Sequence, residues 1–258
     1  APTGETLRLM SFPDITNWYL EKGFNTLKRI MNLARATVGK LMDMPLPSNE
    51  VLESINEIKR NMEQVKEILE DPKKTTVRLV LNPERMVIKE TMRAYTYLSL
   101  YNKNVDMLVV NRVIPESAGE SHFFTEKLKE QEGYMEMIHN SFDPMEIKMC
   151  GMMSTELRGH DKLVAMADAI YGDQDPMMLY ASSSPMSFVT EDGIDYLNLK
   201  MPFVDGGAVE LFRINSNTLM IHVGSQKCNI QLPDSLIGAD IVGADFKDSK
   251  LIVKFKRE

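Results

Sequence analysis

The spacing of apolar residues changes character twice along this chain, and each change limits what the chain can fold into. The series Leu20, Phe24, Leu27, Met31, Ala34, Val38, Leu41 steps by four and three, which places it on one face of a helix. Asp14, after Pro13, is a plausible cap for that helix, and the run Asp43 to Pro47 breaks it. A second series, Val51, Ile55, Ile58, Met62, Val65, Leu69, keeps the same alternation behind Ser48 and stops at Asp71-Pro72. A shared period of about 3.5 predicts two antiparallel helices over residues 14–71, packed as a short coiled-coil hairpin.

Beyond Pro72 the pattern becomes that of an α/β protein. Val77 to Leu81 (VRLVL) reads as a strand, Pro83 and Glu84 open a helix running to about Tyr101, and Val105 to Val110 (VDMLVV) is apolar almost throughout. Strand, helix and strand at this spacing predict a βαβ unit with a parallel sheet. A polar helix over 121–140, a short strand over 146–150 and a helix over 156–171 follow. Gly172 to Pro185 (GDQDPMMLYASSSP) shows no period and reads as a linker. After it the period falls to two: 195–204, 209–215, 218–224, 227–232 and 250–256 read as short strands of a small all-β sandwich. The expected division is 1–175 and 185–258.

Composition narrows the function classes. A formal net charge of −7 argues against a nucleic-acid binder, which usually presents a basic face. Cys150 and Cys228 are far apart and in no metal-ligand spacing, so neither a disulfide scaffold nor a zinc site is expected. There is no apolar run of membrane-spanning length and no signal peptide, which makes the cytoplasm the default compartment. Because the first residue is Ala1, a fragment or a processed product is expected. The 20 methionines fill cores or line adaptable apolar surfaces. The histidines have no placed nucleophile partner, and the charged run Glu126 to Glu132 reads as a solvated helix face.

Four short runs stand out. Ala1 to Leu9 (APTGETLRL) has Gly4 free to adopt unusual backbone angles, so that neighbouring N–H groups can follow a phosphate. Asn82-Pro83-Glu84-Arg85 and Val109-Val110-Asn111-Arg112-Val113 close two successive strands, where open α/β sheets bind ligands. The Asn111 amide offers a donor and an acceptor to a base. Cys150 to Gly159 (CGMMSTELRG), followed by Leu163 and Tyr171-Gly172-Asp173, puts Met152 and Met153 after the third strand. Each run also has an ordinary structural reading: an N-terminal turn, a first-turn carboxylate at Glu84, a turn residue at Asn111 and a buried Met153.

Taken together and in this order, the runs resemble the arsenical-pump and tail-anchored-protein-targeting ATPase family, in its portion from switch II onward. The resemblance implies a P-loop-NTPase-like parallel sheet portion with a helical hairpin. It implies that Pro2, Thr3, Gly4 and Thr6 belong to switch II, which senses the γ-phosphate. It implies that Glu84, Asn111, Arg112, Met152 and Met153 bind nucleotide, with Glu84 and Asn111 at the family's separation of 27 positions. Glu5 stands where the family often has histidine, and Gly151 where it usually has proline. Met201 to Lys256 resembles the α-crystallin-like domain appended to some members. The zinc-binding cysteines of the eukaryotic branch are replaced around Ser121, His122 and Phe123, and no metalloid-binding cysteines have a counterpart, so no metal site is expected.

The sequence contains no G-x-x-x-x-G-K-[ST] run; Gly39-Lys40 is followed by Leu41 and lies in a helical segment. No catalytic residue is therefore assigned in this chain. The resemblance implies a cytosolic parent ATPase that uses ATP and Mg2+, closes as a homodimer or around a P-loop-bearing portion, and handles a client, an anion or a membrane partner protein. The chain alone is expected to be inactive and to bind no cofactor tightly. The competing reading is a non-enzymatic module whose hairpin and sandwich bind apolar segments without turnover.

Overall fold

The computed structural model describes Leu7 and residues 49–256 other than Ser121. The first hairpin helix and the switch II residues Pro2, Thr3, Gly4 and Thr6 lie outside the described residues. The chain divides into two compact units, Ala1–Asp71 and Pro72–Glu258.

In the first unit, helix α1 (Asn49–Glu70) occupies the expected second arm of the hairpin. Ile55, Met62 and Leu69 of the expected hairpin seam are half-buried, whereas Val51, Ile58 and Val65 of the same series are exposed, contrary to the seam expected for them, as is Ile68. Lys59–Glu63 and Lys66–Glu70, at 3.6 and 4.0 Å, are i,i+4 pairs along its polar side.

The second unit begins with a three-stranded sheet in the order β1-β2-β3, formed by Val77–Leu81, Val105–Val113 and Glu146–Gly151. Both pairings are parallel, with Leu79 beside Leu108 and Leu108 beside Ile147. Helix α2 (Arg85–Leu100) connects β1 to β2, and helix α3 (His122–Phe142) lies between β2 and β3. Helix α4 (His160–Tyr171) supplies Met166 and Ile170, which pack with Tyr171 and Tyr180 over Met107, Val109 and Cys150. Residues 105–110 are all buried, as a central parallel strand requires. Helix α4 starts at His160, not Glu156, because Gly159 holds φ 84° and ψ 168°, far from helical values.

The β part is a sandwich of two antiparallel sheets. One has the order β4-β5-β10-β9, made of Met186–Glu191, Ile194–Lys200, Lys250–Lys256 and Asp240–Lys247; the other is β6-β7-β8, made of Val209–Asn215, Thr218–Val223 and Gln226–Gln231. Strands β4 and β9 were not expected. β4 runs from the end of the supposed linker with five of its six residues exposed, and β9 is interrupted by Gly243-Ala244, so neither shows a clean apolar alternation.

The core of the sandwich is not made by its strands alone. Leu100, the last residue of α2, is fully buried among Leu197, Leu219, Ile221, Val253 and Phe255. Tyr101 donates its hydroxyl to Gln226 Oε1 at 2.8 Å, and Thr96 donates to the Pro202 carbonyl. The stretch 172–185 is also tied down. Arg78 donates to the Tyr171 hydroxyl at 3.1 Å and to the carbonyls of Pro176 and Met178 at 2.5 and 2.8 Å, and Asn104 Nδ2 donates to the Ala181 carbonyl at 2.6 Å.

Candidate functional site

The carboxyl ends of β1, β2 and β3 open into one cavity of about 580 Å3, within the range of roughly 300–1,000 Å3 typical of small-molecule sites. Asn82 to Met86 line it after β1, Arg112 and Ile114 at the end of β2, and Met152 after β3; one face of α3 closes it with Lys127, Glu130, Gln131 and Tyr134. Ligand sites of open α/β sheets lie at this end of the strands, because there the loops and helix N-termini converge.

Each wall has a local cause. Pro83 steers the chain out of β1, and Glu84 holds the extended cap position of α2 at φ −136° and ψ 134°. Its side chain makes no capping bond and lies exposed on the cavity wall. Arg112 sits at φ 56°, in the left-handed region that disfavours side chains. The Arg112 N–H donates to Asn111 Oδ1 at 2.9 Å, an arrangement that offsets part of that cost. The ladder between β2 and β3 shifts register between Val110 and Val113, and Met152 N–H then donates to the Val113 carbonyl at 2.8 Å. On α3, Gln131 bonds the backbone of Ile114 with both amide atoms, at 2.7 and 3.1 Å.

Three cations and two carboxylates share the lining: Arg85, Arg112 and Lys127 with Glu84 and Glu130. Lys127 meets Glu130 at 2.9 Å. That hydrogen bond and the charge of Glu130 raise the Lys127 pKa above the ordinary lysine value, with smaller contributions from Tyr134 and Glu84. Such a surface suits an anionic, partly apolar ligand. Met152, 46% exposed, and Tyr134 offer apolar faces, while the cations offer charge.

Of the residues singled out in the sequence, Glu84, Arg112 and Met152 meet in the cavity. Asn111 and Met153 fall beside its described lining: Asn111 backs Arg112, and Met153 is 37% exposed next to Met152. Lys127, Glu130, Gln131 and Tyr134 were missed, because the charged run 126–132 reads as a solvated face. Their spacing of three, one and three puts them on one side of a helix, and that polar stripe was the available signal. Among the described residues no three or more His, Cys, Asp or Glu side chains gather to hold a metal ion. Nor is any described helix long and apolar enough to cross a membrane.

Fold and cavity together define a parallel α/β protein with a cavity at its strand ends, followed by an antiparallel sandwich. The sequence model of the anion-transporting ATPase family matches residues 1–172, and that of the HSP20-like domain found in ArsA matches residues 192–255. The chain belongs to the anion-transporting ATPase family. It is 37% identical over 262 aligned residues to a candidate arsenical pump-driving ATPase of Chlorobaculum tepidum, covering 100% of this chain and 64% of the relative. A similar candidate from Aquifex aeolicus is 33% identical over 255 residues, covering 98% of this chain and 64% of the relative. The ATPase GET3C of Arabidopsis thaliana is 30% identical over 173 residues, covering 66% of this chain and 44% of the relative. The chain thus spans about two thirds of the length of the first two relatives and less than half of the third.

Proposed function

We propose that the cavity at the ends of β1, β2 and β3 is the nucleoside end of an ATP site, and that the whole protein is a cytoplasmic ATPase coupling nucleotide state to a client, anion or partner. The observation that carries this reading is the convergence of Glu84, Arg112 and Met152 from three separate strand ends. Met152 and Tyr134 would pack against the base, Glu84 would accept from ribose hydroxyls, and Arg112 would face the first phosphates. Asn111 would present its Nδ2 donor to the purine edge while its oxygen holds Arg112. ATP and Mg2+ bring the phosphoryl chemistry when bound. The γ-phosphate and the metal would meet switch II residues Pro2, Thr3, Gly4 and Thr6 and a P-loop supplied by another portion or subunit, with homodimerisation as the simplest arrangement. The exposed stripe on α1 is the proposed partner face.

An adenosine titration of the chain followed by amide NMR tests this reading. Adenosine should shift Glu84 to Met86, Arg112 to Ile114 and Met152, with a dissociation constant on the order of 1 mM, equivalent to about 4 kcal/mol. The same chain should show no ATP turnover, because clamping of the β- and γ-phosphates supplies most of the rate in this chemistry. Shifts absent from the cavity, or spread evenly over the surface, would remove the assignment.

A further inference from the structure

We propose that Gln131 is the positioning residue of this cavity: one side-chain amide fixes two of its walls to each other. The proposal rests on the nucleotide reading above, and it adds a positioning role to α3, the helix that already carries Tyr134 to the cavity. β2 keeps its ladder to β3 as far as Val113, which pairs with Gly151, and its ladder to β1 only as far as Val110. At Ile114 the next residue is Pro115, which has no N–H to continue any pattern. Both backbone groups of Ile114 are nevertheless bonded. Ile114 N–H donates to Gln131 Oε1 at 2.7 Å, and Gln131 Nε2 donates to the Ile114 carbonyl at 3.1 Å. The amide therefore replaces a missing strand at that residue, as only a side chain with one donor and one acceptor in a single plane can. Gln131 is 9% exposed, and losing it would leave both backbone groups of the half-buried Ile114 without these partners.

The consequence for the site is geometric. With Asn111 capping Arg112 and Met152 N–H on the Val113 carbonyl, the Gln131 clasp completes the fixing of 111–114, including the left-handed Arg112. It also sets the rotation of α3. Lys127 and Tyr134 lie at i−4 and i+3 from Gln131, on its own side of the helix, and Glu130 precedes it, so fixing the rotation of α3 at Gln131 fixes where all three meet the cavity. Gln131 acts through these neighbours and not on the ligand.

The test uses the full chain, adenosine as probe, and the variants Gln131→Leu and Gln131→Glu. Gln131→Leu should weaken adenosine binding by about tenfold and speed amide exchange at Ile114 by a similar factor, as expected for two lost hydrogen bonds. Gln131→Glu supplies a pH readout that a purely structural role would not move. A protonated carboxyl has both a donor and an acceptor, like the amide, whereas the carboxylate accepts only. Glu84, Glu130, Arg85, Arg112 and Lys127 face the same cavity in every variant, so the readout is affinity relative to wild type at each pH. For Gln131→Glu that ratio should recover as pH falls from about 6 to about 4, across the ordinary glutamate range, while for Gln131→Leu it stays flat. If Gln131→Leu does not fold, the pH series on Gln131→Glu decides alone. Affinity within about twofold of wild type in Gln131→Leu, or a Gln131→Glu profile that tracks the wild type at every pH, overturns the proposal. Absence of any adenosine response in the wild-type chain overturns the nucleotide reading and this proposal with it. A normal wild-type response with unaffected variants overturns this proposal only.

Discussion

Asn111 and Arg112 share one problem, since a side chain at φ 56° is strained and the strain must be held by something. The Asn111 oxygen holds it from one side, which separates two roles that a single substitution can resolve. Asn111→Asp keeps the acceptor for the Arg112 N–H and loses the amide donor; Asn111→Ala loses both. If the donor reads the purine, both variants should weaken adenosine binding, with Asn111→Ala weaker than wild type by about 1 kcal/mol or more. If only Asn111→Ala weakens it, Asn111 is a backbone cap and does not touch the base. At this scale the sequence was informative where chemistry and position coincide. Glu84 and Met152 follow strands, Arg112 is the last residue but one of β2, and all three line the cavity. For Lys127, Glu130 and Gln131 the sequence offered only a polar stripe, because a charged or amide side chain reads the same whether it faces water or a cleft.

Among the elements, the segment after α4 changes meaning most. Its prolines, serines and lack of period suggest a linker, yet Arg78 and Asn104 bond its backbone to β1 and to the turn before β2. The unlike reading arises because a strap of turns and irregular chain, held by side chains from elsewhere, has no period of its own. Arg78 also meets Asp106 at 3.7 Å; the Asp106 side chain is 0% exposed, and its Oδ1 has no hydrogen-bond partner. Arg78→Met would leave that carboxylate buried without its counter-charge. The expected cost is about 3–5 kcal/mol in a denaturant titration, and a double variant with Asp106→Asn should recover much of it. Equal stability of the single and double variants would show that the strap, not the ion pair, carries the loss. Limited proteolysis of Arg78→Met should then cut between Gly172 and Pro185 faster than in wild type. Helix α1 offers a different element-scale prediction. Val51, Ile58 and Val65 are 47, 48 and 40% exposed at seven-residue spacing. Ile58→Asp with Val65→Asp should leave thermal stability nearly unchanged and abolish any self-association seen by sedimentation; unfolding instead would identify them as core.

For the whole molecule, the family boundaries and the physical ones fall in different places. The family models end and begin near 172 and 192, whereas the compact unit runs unbroken from Pro72 to Glu258. The reason is α2. Its first turn, Arg85 and Met86, lines the cavity, and its last residue, Leu100, is 0% exposed inside the sandwich core. At about 1.5 Å per residue, a helix of this length spans roughly 24 Å as one stiff rod. Periodicity along α2 shows a helix and an apolar face, but it cannot show that the final turn serves a core assembled from strands a hundred residues later. Leu100→Ala in the full chain should cost about 2–5 kcal/mol, the range for a fully buried leucine. Hydrogen exchange on that variant separates the alternatives. If sheet and sandwich unfold together, amides of β2 at Leu108 and Val109 and of β10 at Val253 should lose protection by the same free energy. If protection falls in β10 and stays at the wild-type level in β2, the sandwich opens as a separate cooperative unit. In that case a ligand in the cavity could not be felt in the sandwich through α2. Under the first outcome it could, since anything that stabilises the α2 first turn would raise the protection of both layers by RT ln(1 + [L]/Kd).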